Sequence, residues 1–177
     1  MDLEKSLPRI QMGMPSKKAP EPFAVVDSLL AAFAINNRIN EFLIRAVPDA
    51  AWRAAPPEGK GRTIAAIFAH IHNVRGTWLK SFGGDVEIPE KLERNSCTKE
   101  DAVRSLEESW RALDGVLRTS LTTDGRIRGF KPDAGGFLGY LFAHDAHHRG
   151  QIAMLARQAG HPISQSAMFG MWEWGTR

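Results

Sequence analysis

The protein has 177 residues, a mass of 19.6 kDa and a formal charge of +3 from 23 basic and 20 acidic side chains. This length suits one domain that buries a core without covalent cross-links. The single cysteine, Cys97, excludes an intrachain disulfide framework, so a reducing, cytoplasmic setting is expected. No stretch reaches the roughly 18 uncharged apolar residues of a membrane span. The basic side chains are interspersed with acids, which disfavours specific nucleic-acid binding.

The prolines divide the chain into four long proline-free segments, residues 23–47, 58–88, 90–131 and 133–161. Because proline disrupts a helix interior at a cost of about 3 kcal/mol, this distribution predicts four helices. The sequence shows no sustained alternation typical of strands and no repeat of 20 to 50 residues. The sequence therefore predicts an all-α protein, a four-helix bundle.

Each segment carries its own helix signals. The first has an imperfect apolar stripe, because Asn36 and Asn40 share its spacing. The second begins near Thr63 and ends at Gly83-Gly84. The third follows a capping-box-like sequence that starts at Thr98 and has the clearest helical period, in Val103, Leu106, Trp110, Leu113, Leu117 and Leu121.

The fourth segment stops at Gly160, with Pro162 beyond, a typical helix terminator. Residues 1–20 are predicted to form a flexible arm and residues 21–164 the metal-binding bundle. Residues 165–177 are predicted to form an aromatic tail rather than a fifth helix. A cluster as apolar as Met168 to Trp174 is expected to dock on a pocket mouth or to join a subunit interface.

Histidine placement is the most informative feature of the sequence. His144 and His148 are four residues apart on the inner side of the fourth helix, the spacing at which two imidazoles reach one ion, whereas His147 points toward the boundary or solvent. The second helix offers His70 or His72 as a third ligand. These lie about 90 and 110 degrees to either side of its apolar stripe, so periodicity does not choose between them.

Other polar residues of the fourth helix have weaker signals. Asp145 occupies the place of the glutamate in a zincin motif, which disfavours a peptidase. Its spacing from Arg149 favours an intrahelical ion pair. Gln151 flanks the inward histidines and is a candidate to orient a ligand, although an exposed position fits it equally well.

Further candidates lie outside that helix. Asn36 and Asn40 are expected to be exposed rather than to face a metal pocket. Cys97 is expected to be an inert small residue rather than a nucleophile.

Two stretches resemble the DinB/YfiT-like family of metalloproteins. Thr63 to Ile71, followed by Trp78-Leu79, is similar to its second-helix signature, and His144 to Ile152 is similar to its fourth-helix HxxxHRGQ signature. The resemblance covers roughly residues 23–161. It implies a bundle of up-down-down-up topology, often a homodimer, with a divalent metal held by His70, His144 and His148.

Three imidazoles with no evident fourth protein ligand are typical of a catalytic metal site. Zinc or nickel is favoured, and iron or manganese also accepts such ligands. The sequence thus predicts a metal-dependent enzyme acting on a small molecule, by hydrolysis or by thiol transfer. The alternative is a non-catalytic binding or stress-response protein in which the metal joins two helices, with His72 or His147 as its fourth ligand.

Overall fold

The structure is a computed structural model that describes residues 23–56 and 59–177. The predicted N-terminal arm, residues 1–20, lies outside the described residues. Within them the regular secondary structure is entirely helical: α1 (Val25–Ala46), α2 (Asp49–Trp52), α3 (Ile64–Phe82), α4 (Lys99–Leu121), α5 (Ala134–Gln158), α6 (Gln165–Gly170) and a 3₁₀ turn at Trp174–Thr176. None of these helices has both the length and the apolar character that crossing a bilayer would require.

The four long helices, α1, α3, α4 and α5, correspond to the four predicted segments. Thr63 caps α3 by accepting a hydrogen bond from the Ala66 N–H, and Thr98 and Asp101 form the predicted reciprocal capping box at the start of α4. After α5, Gly160 adopts a φ of +79°, which turns the chain away from the helix.

Two short helices were not predicted. α2 follows Pro48 in the first linker, and its four residues are too few to show a helical period. The expectation of a tail without a fifth helix is wrong, because α6 forms within residues 165–177. Ser164 starts it by accepting a hydrogen bond from the Ala167 N–H.

The long helices enclose a core that is divided along its length. α1 and α3 each pack against both α4 and α5. One apolar cluster contains the end of α1 with the beginnings of α3 and α4 and the end of α5; the other contains the opposite halves of these helices.

A layer of buried polar residues lies between the two clusters, at mid-height of the helices: Asn36, Asn37, Asn40, Arg75, Ser109 and Asp145. Burying such groups is costly unless they are hydrogen-bonded. The layer lies beside the inward histidines of α5, and its contacts are part of the candidate site.

Candidate metal centre

Three of the predicted histidines converge between α3 and α5. His70 comes from α3, and His144 and His148 come from one face of α5. One ring nitrogen from each histidine can be chosen such that all three atoms lie within 4.8 Å of one another. The Nε2 atoms of His144 and His148 are 3.2 Å apart. The structure therefore brings together the three residues that the family resemblance selected.

The partners of the other ring nitrogens determine where the lone pairs point. Gln151 Oε1 lies 2.7 Å from His148 Nδ1. A carbonyl oxygen only accepts hydrogen bonds, so Nδ1 carries the proton and Nε2 carries the lone pair. Asp145 Oδ1 lies 3.8 Å from His144 Nδ1, beyond hydrogen-bond distance, and its negative charge favours a proton on that nitrogen. Two lone pairs then face each other across 3.2 Å, an arrangement that a cation between them would stabilise.

The charge state of the imidazoles also suits metal binding. Burial, followed by the Arg62 guanidinium, lowers the pKa of His70 to about 4. Burial also lowers the pKa of His148, although the hydrogen bond to Gln151 opposes this shift. Both rings are therefore neutral near pH 7, which is the form that ligates metals.

Asp145 supports the site from inside the core. Its side chain is fully buried, and its Oδ2 accepts hydrogen bonds from Asn36 Nδ2 at 2.7 Å, Asn40 Nδ2 at 2.8 Å and Arg75 Nη2 at 2.8 Å. Burial alone would raise the pKa of Asp145, but the Arg75 guanidinium and the other donors hold it well below its usual range. Its Oδ1 has no hydrogen-bond partner and faces His144. A carboxylate therefore lies behind one of the imidazoles, the side on which many metal-binding histidines have a carboxylate partner.

Two expectations for these polar residues are wrong. Asp145 makes its ion pair with Arg75 of α3, not with Arg149, whose guanidinium instead donates to Asn36 Oδ1 and Asn40 Oδ1. Asn36 and Asn40 are buried rather than exposed, because their amides bridge Asp145 to Arg149. Helical spacing indicated the local partner, but the fold supplies a stronger one from another helix.

The remaining histidines of the two helices lie apart from the cluster. His72 is buried, with Nδ1 2.7 Å from the Ser105 carbonyl oxygen and Nε2 2.8 Å from that of Glu90. His147 is exposed, as predicted. No further histidine, cysteine, aspartate or glutamate among residues 23–56 and 59–177 joins the three ligand atoms. The described part of the chain thus provides three protein ligands.

Cys97 is buried, and its thiol lies 3.5 Å from the Ala65 carbonyl oxygen. Burial raises the pKa of this thiol. A thiol in such surroundings is a poor nucleophile, which agrees with the prediction that Cys97 is inert.

The aromatic tail packs on α1 and α5 only in part. Trp174 contacts Phe142 of α5, and the Arg177 guanidinium lies 3.9 Å from the centre of the Phe42 ring. Phe169 and Trp172 remain exposed in the single chain, so packing within the chain covers only part of the cluster. The tail contributes no ligand atom to the three-histidine cluster.

The fold and the site together define a helical protein with a candidate three-histidine metal centre. The family model described as "DinB family" matches residues 14–172, and the chain belongs to that family. Comparisons with curated proteins and with solved structures found no significant match. The family membership confirms the resemblance seen in the second and fourth predicted helices.

Proposed function

We propose that this protein is a metal-dependent enzyme of the DinB type, with one divalent cation held by His70, His144 and His148. The observation that carries the proposal is the convergence of three imidazole nitrogens within 4.8 Å. The proposal also includes the up-down-down-up order of the long helices, a homodimer, a cytoplasmic location and a small-molecule substrate.

The donor set fits such a cation. Neutral imidazoles suit zinc and nickel, which we favour, as well as iron and manganese. Three protein ligands leave a coordination position for a substrate, as in catalytic rather than structural sites. When bound, the metal would supply Lewis acidity that activates a water or a thiol, or polarises a carbonyl, near neutral pH.

The chain's own residues then hold the ligands in place. Gln151 fixes the proton of His148 on Nδ1, and the unpartnered oxygen of Asp145 favours the same tautomer in His144. Tyr140, one turn before His144, stacks on its ring with centroids 5.7 Å apart and limits its rotation. Both α5 imidazoles therefore present Nε2 without rearrangement.

The alternative is a binding or stress-response protein in which the metal only ties α3 to α5. A structural zinc is normally closed by four protein ligands. His72 is occupied by two backbone carbonyls, and His147 is exposed. Neither histidine supplies the fourth ligand that this alternative needs, so the geometry favours the enzyme.

The two histidines of α3 provide a matched test of the ligand set. We expect His70→Ala to lose zinc and His72→Ala to keep it, because only His70 joins the cluster. Metal content after dialysis against zinc, measured by mass spectrometry, checks this result. Retention by His70→Ala together with loss from His72→Ala would contradict the assignment.

Catalysis needs a separate experiment. The zinc- or nickel-loaded protein is supplied with a panel of esters and amides, and with low-molecular-weight thiols together with electrophiles. Turnover that disappears in His148→Ala and persists in His147→Ala would support the enzyme. Equal turnover in the two variants would contradict catalysis at this centre, and no turnover across the panel would favour the non-catalytic alternative.

A further inference from the structure

Two cavities of the described residues differ in their relation to the candidate metal centre. The larger, about 970 Å³, lies among α4 and the loops at residues 83–90 and 126–128. The smaller, about 420 Å³, lies between α5 and the chain that leads into α3. Its volume is within the range of about 300 to 1,000 Å³ typical of small-molecule pockets.

None of the three histidines lines either cavity, but the smaller one is connected to the candidate metal centre through Gln151. Gln151 lines it and also accepts the hydrogen bond from His148 at 2.7 Å, so one side chain belongs to both. Arg62 lines the cavity as well, and it directly precedes Thr63, the N-cap of α3, the helix that carries His70. A single side chain, that of Gln151, therefore links this cavity to His148.

The lining of this cavity is basic at one edge and apolar along the other. Lys60 and Arg62 supply the positive charge, while Pro56, Met154 and Leu155 supply the apolar wall. The described lining residues include no carboxylate. Met154 is 62% exposed, so its side chain is accessible to a ligand.

We propose that this groove, lined by Pro56, Lys60, Arg62, Gln151, Met154 and Leu155, binds a small molecule with a carboxylate at one end and an apolar chain or ring at the other. The carboxylate lies at Arg62, and the apolar part lies along Met154 and Leu155. The inference rests on the proposed function, because it names the substrate class of that metal centre.

Charge and shape both support this class of ligand. Three neutral imidazoles leave the charge of a divalent cation uncompensated, and Arg62 adds to it, so an anionic group is attracted. A guanidinium matches a carboxylate with two parallel hydrogen bonds, which an amine or an alcohol does not reproduce. Met154 is three residues beyond Gln151 on α5, so it extends the same helix face away from the histidines.

The test measures binding by calorimetry to the zinc-loaded full-length protein. The probes are octanoate, octylamine and 1-octanol, which share a chain and differ in charge, and acetate, which has the charge without the chain. We expect octanoate to bind at least tenfold more tightly than octylamine and 1-octanol, about the effect of one charge-assisted hydrogen bond. It should also bind at least tenfold more tightly than acetate, which lacks the apolar chain. Octanoate binding no tighter than 1-octanol would overturn the proposal.

Variants locate the binding site. Arg62→Ala should weaken octanoate binding about tenfold, since it removes the charged donor, and Met154→Asp should also weaken it. Arg126→Ala is the matched control, because Arg126 is 89% exposed and lines the other cavity. An equal affinity in Arg62→Ala and Arg126→Ala would overturn the proposal.

Zinc content is measured for each protein before the titration. Failure of the proposed metal centre can then be distinguished from failure of the proposed carboxylate groove. A wild-type protein that takes up no zinc contradicts the proposed metal centre. A zinc-loaded protein that does not prefer octanoate contradicts only the carboxylate groove. Arg62→Ala should retain its zinc, because Arg62 is not a ligand.

Discussion

Replacing Arg75 by methionine tests the buried polar layer that supports the histidines. Arg75 is 1% exposed, and it donates to Asn37 Oδ1, to the Leu106 carbonyl oxygen and to Asp145 Oδ2. Methionine fills much of the same volume but leaves the Asp145 carboxylate buried with only two amide donors. Loss of one partner of a buried ion pair costs about 3 to 5 kcal/mol.

We therefore expect Arg75→Met to lower the free energy of unfolding by about 3 to 5 kcal/mol, measured by urea denaturation followed by circular dichroism. Arg111→Met is the matched control. Arg111 also pairs with a carboxylate, that of Glu107 at 2.9 Å, but its side chain is 71% exposed. Its loss should cost no more than about 1 kcal/mol. Similar losses in the two variants would refute the reasoning.

The pH dependence of the same variant provides a second readout. In the wild type the pKa of Asp145 is lowered, so its ionised form contributes stability above about pH 4 that is lost as the pH falls through the lowered pKa. Without Arg75, burial raises that pKa, and protonation then relieves the buried charge as the pH falls. The difference in stability between wild type and Arg75→Met should narrow from about pH 7 to about pH 4. A difference that stays constant would contradict this account.

Three further predictions concern single side chains. Gln151→Ala should lower zinc affinity about tenfold or more, measured by competition with a chelating dye, because His148 loses its orienting partner; an unchanged affinity would argue against this role. Thr98→Ala should lower the free energy of unfolding by about 1 kcal/mol, since it removes the capping box of α4, and urea denaturation checks this. The Cys97 thiol is buried and its pKa is raised, so it should react with a thiol reagent far more slowly in the native protein than in urea. Equal rates would show that Cys97 is accessible.

The long helices were predictable because their signals are local. Thr63 and Thr98 lie at the starts of their helices and accept hydrogen bonds from residues three positions on, so a short stretch of sequence contains the whole capping interaction. α2 and α6 have four and six residues, fewer than two turns, and give no measurable period.

The site was predictable in part. The spacing of His144 and His148 indicates one helix face, and the structure places both rings together. The choice between His70 and His72 depends on tertiary contacts: His72 bonds to the carbonyl oxygens of Ser105 and Glu90, 33 and 18 residues away. Only the family resemblance selected His70 in advance.

The ion pair of Asp145 was not predictable from the sequence for the same reason. Its ion-pair partner, Arg75, is 70 residues away, whereas Arg149 is one helical turn away and is the partner that helical spacing favours. Asn36 and Asn40, four apart on an otherwise apolar stripe, were the sequence signal of the buried network. Polar residues at core spacing indicate a buried polar network when another helix carries a charge for them to bind.

X-ray absorption spectroscopy of the zinc-loaded protein tests the three-histidine centre most directly. We predict three imidazole nitrogens at about 2.0 to 2.1 Å from the metal and at least one oxygen or nitrogen ligand from outside the protein. The His72→Ala spectrum should match the wild type, whereas His144→Ala should lose one imidazole. A wild-type spectrum without several imidazole ligands, or one that His144→Ala leaves unchanged, would contradict the account.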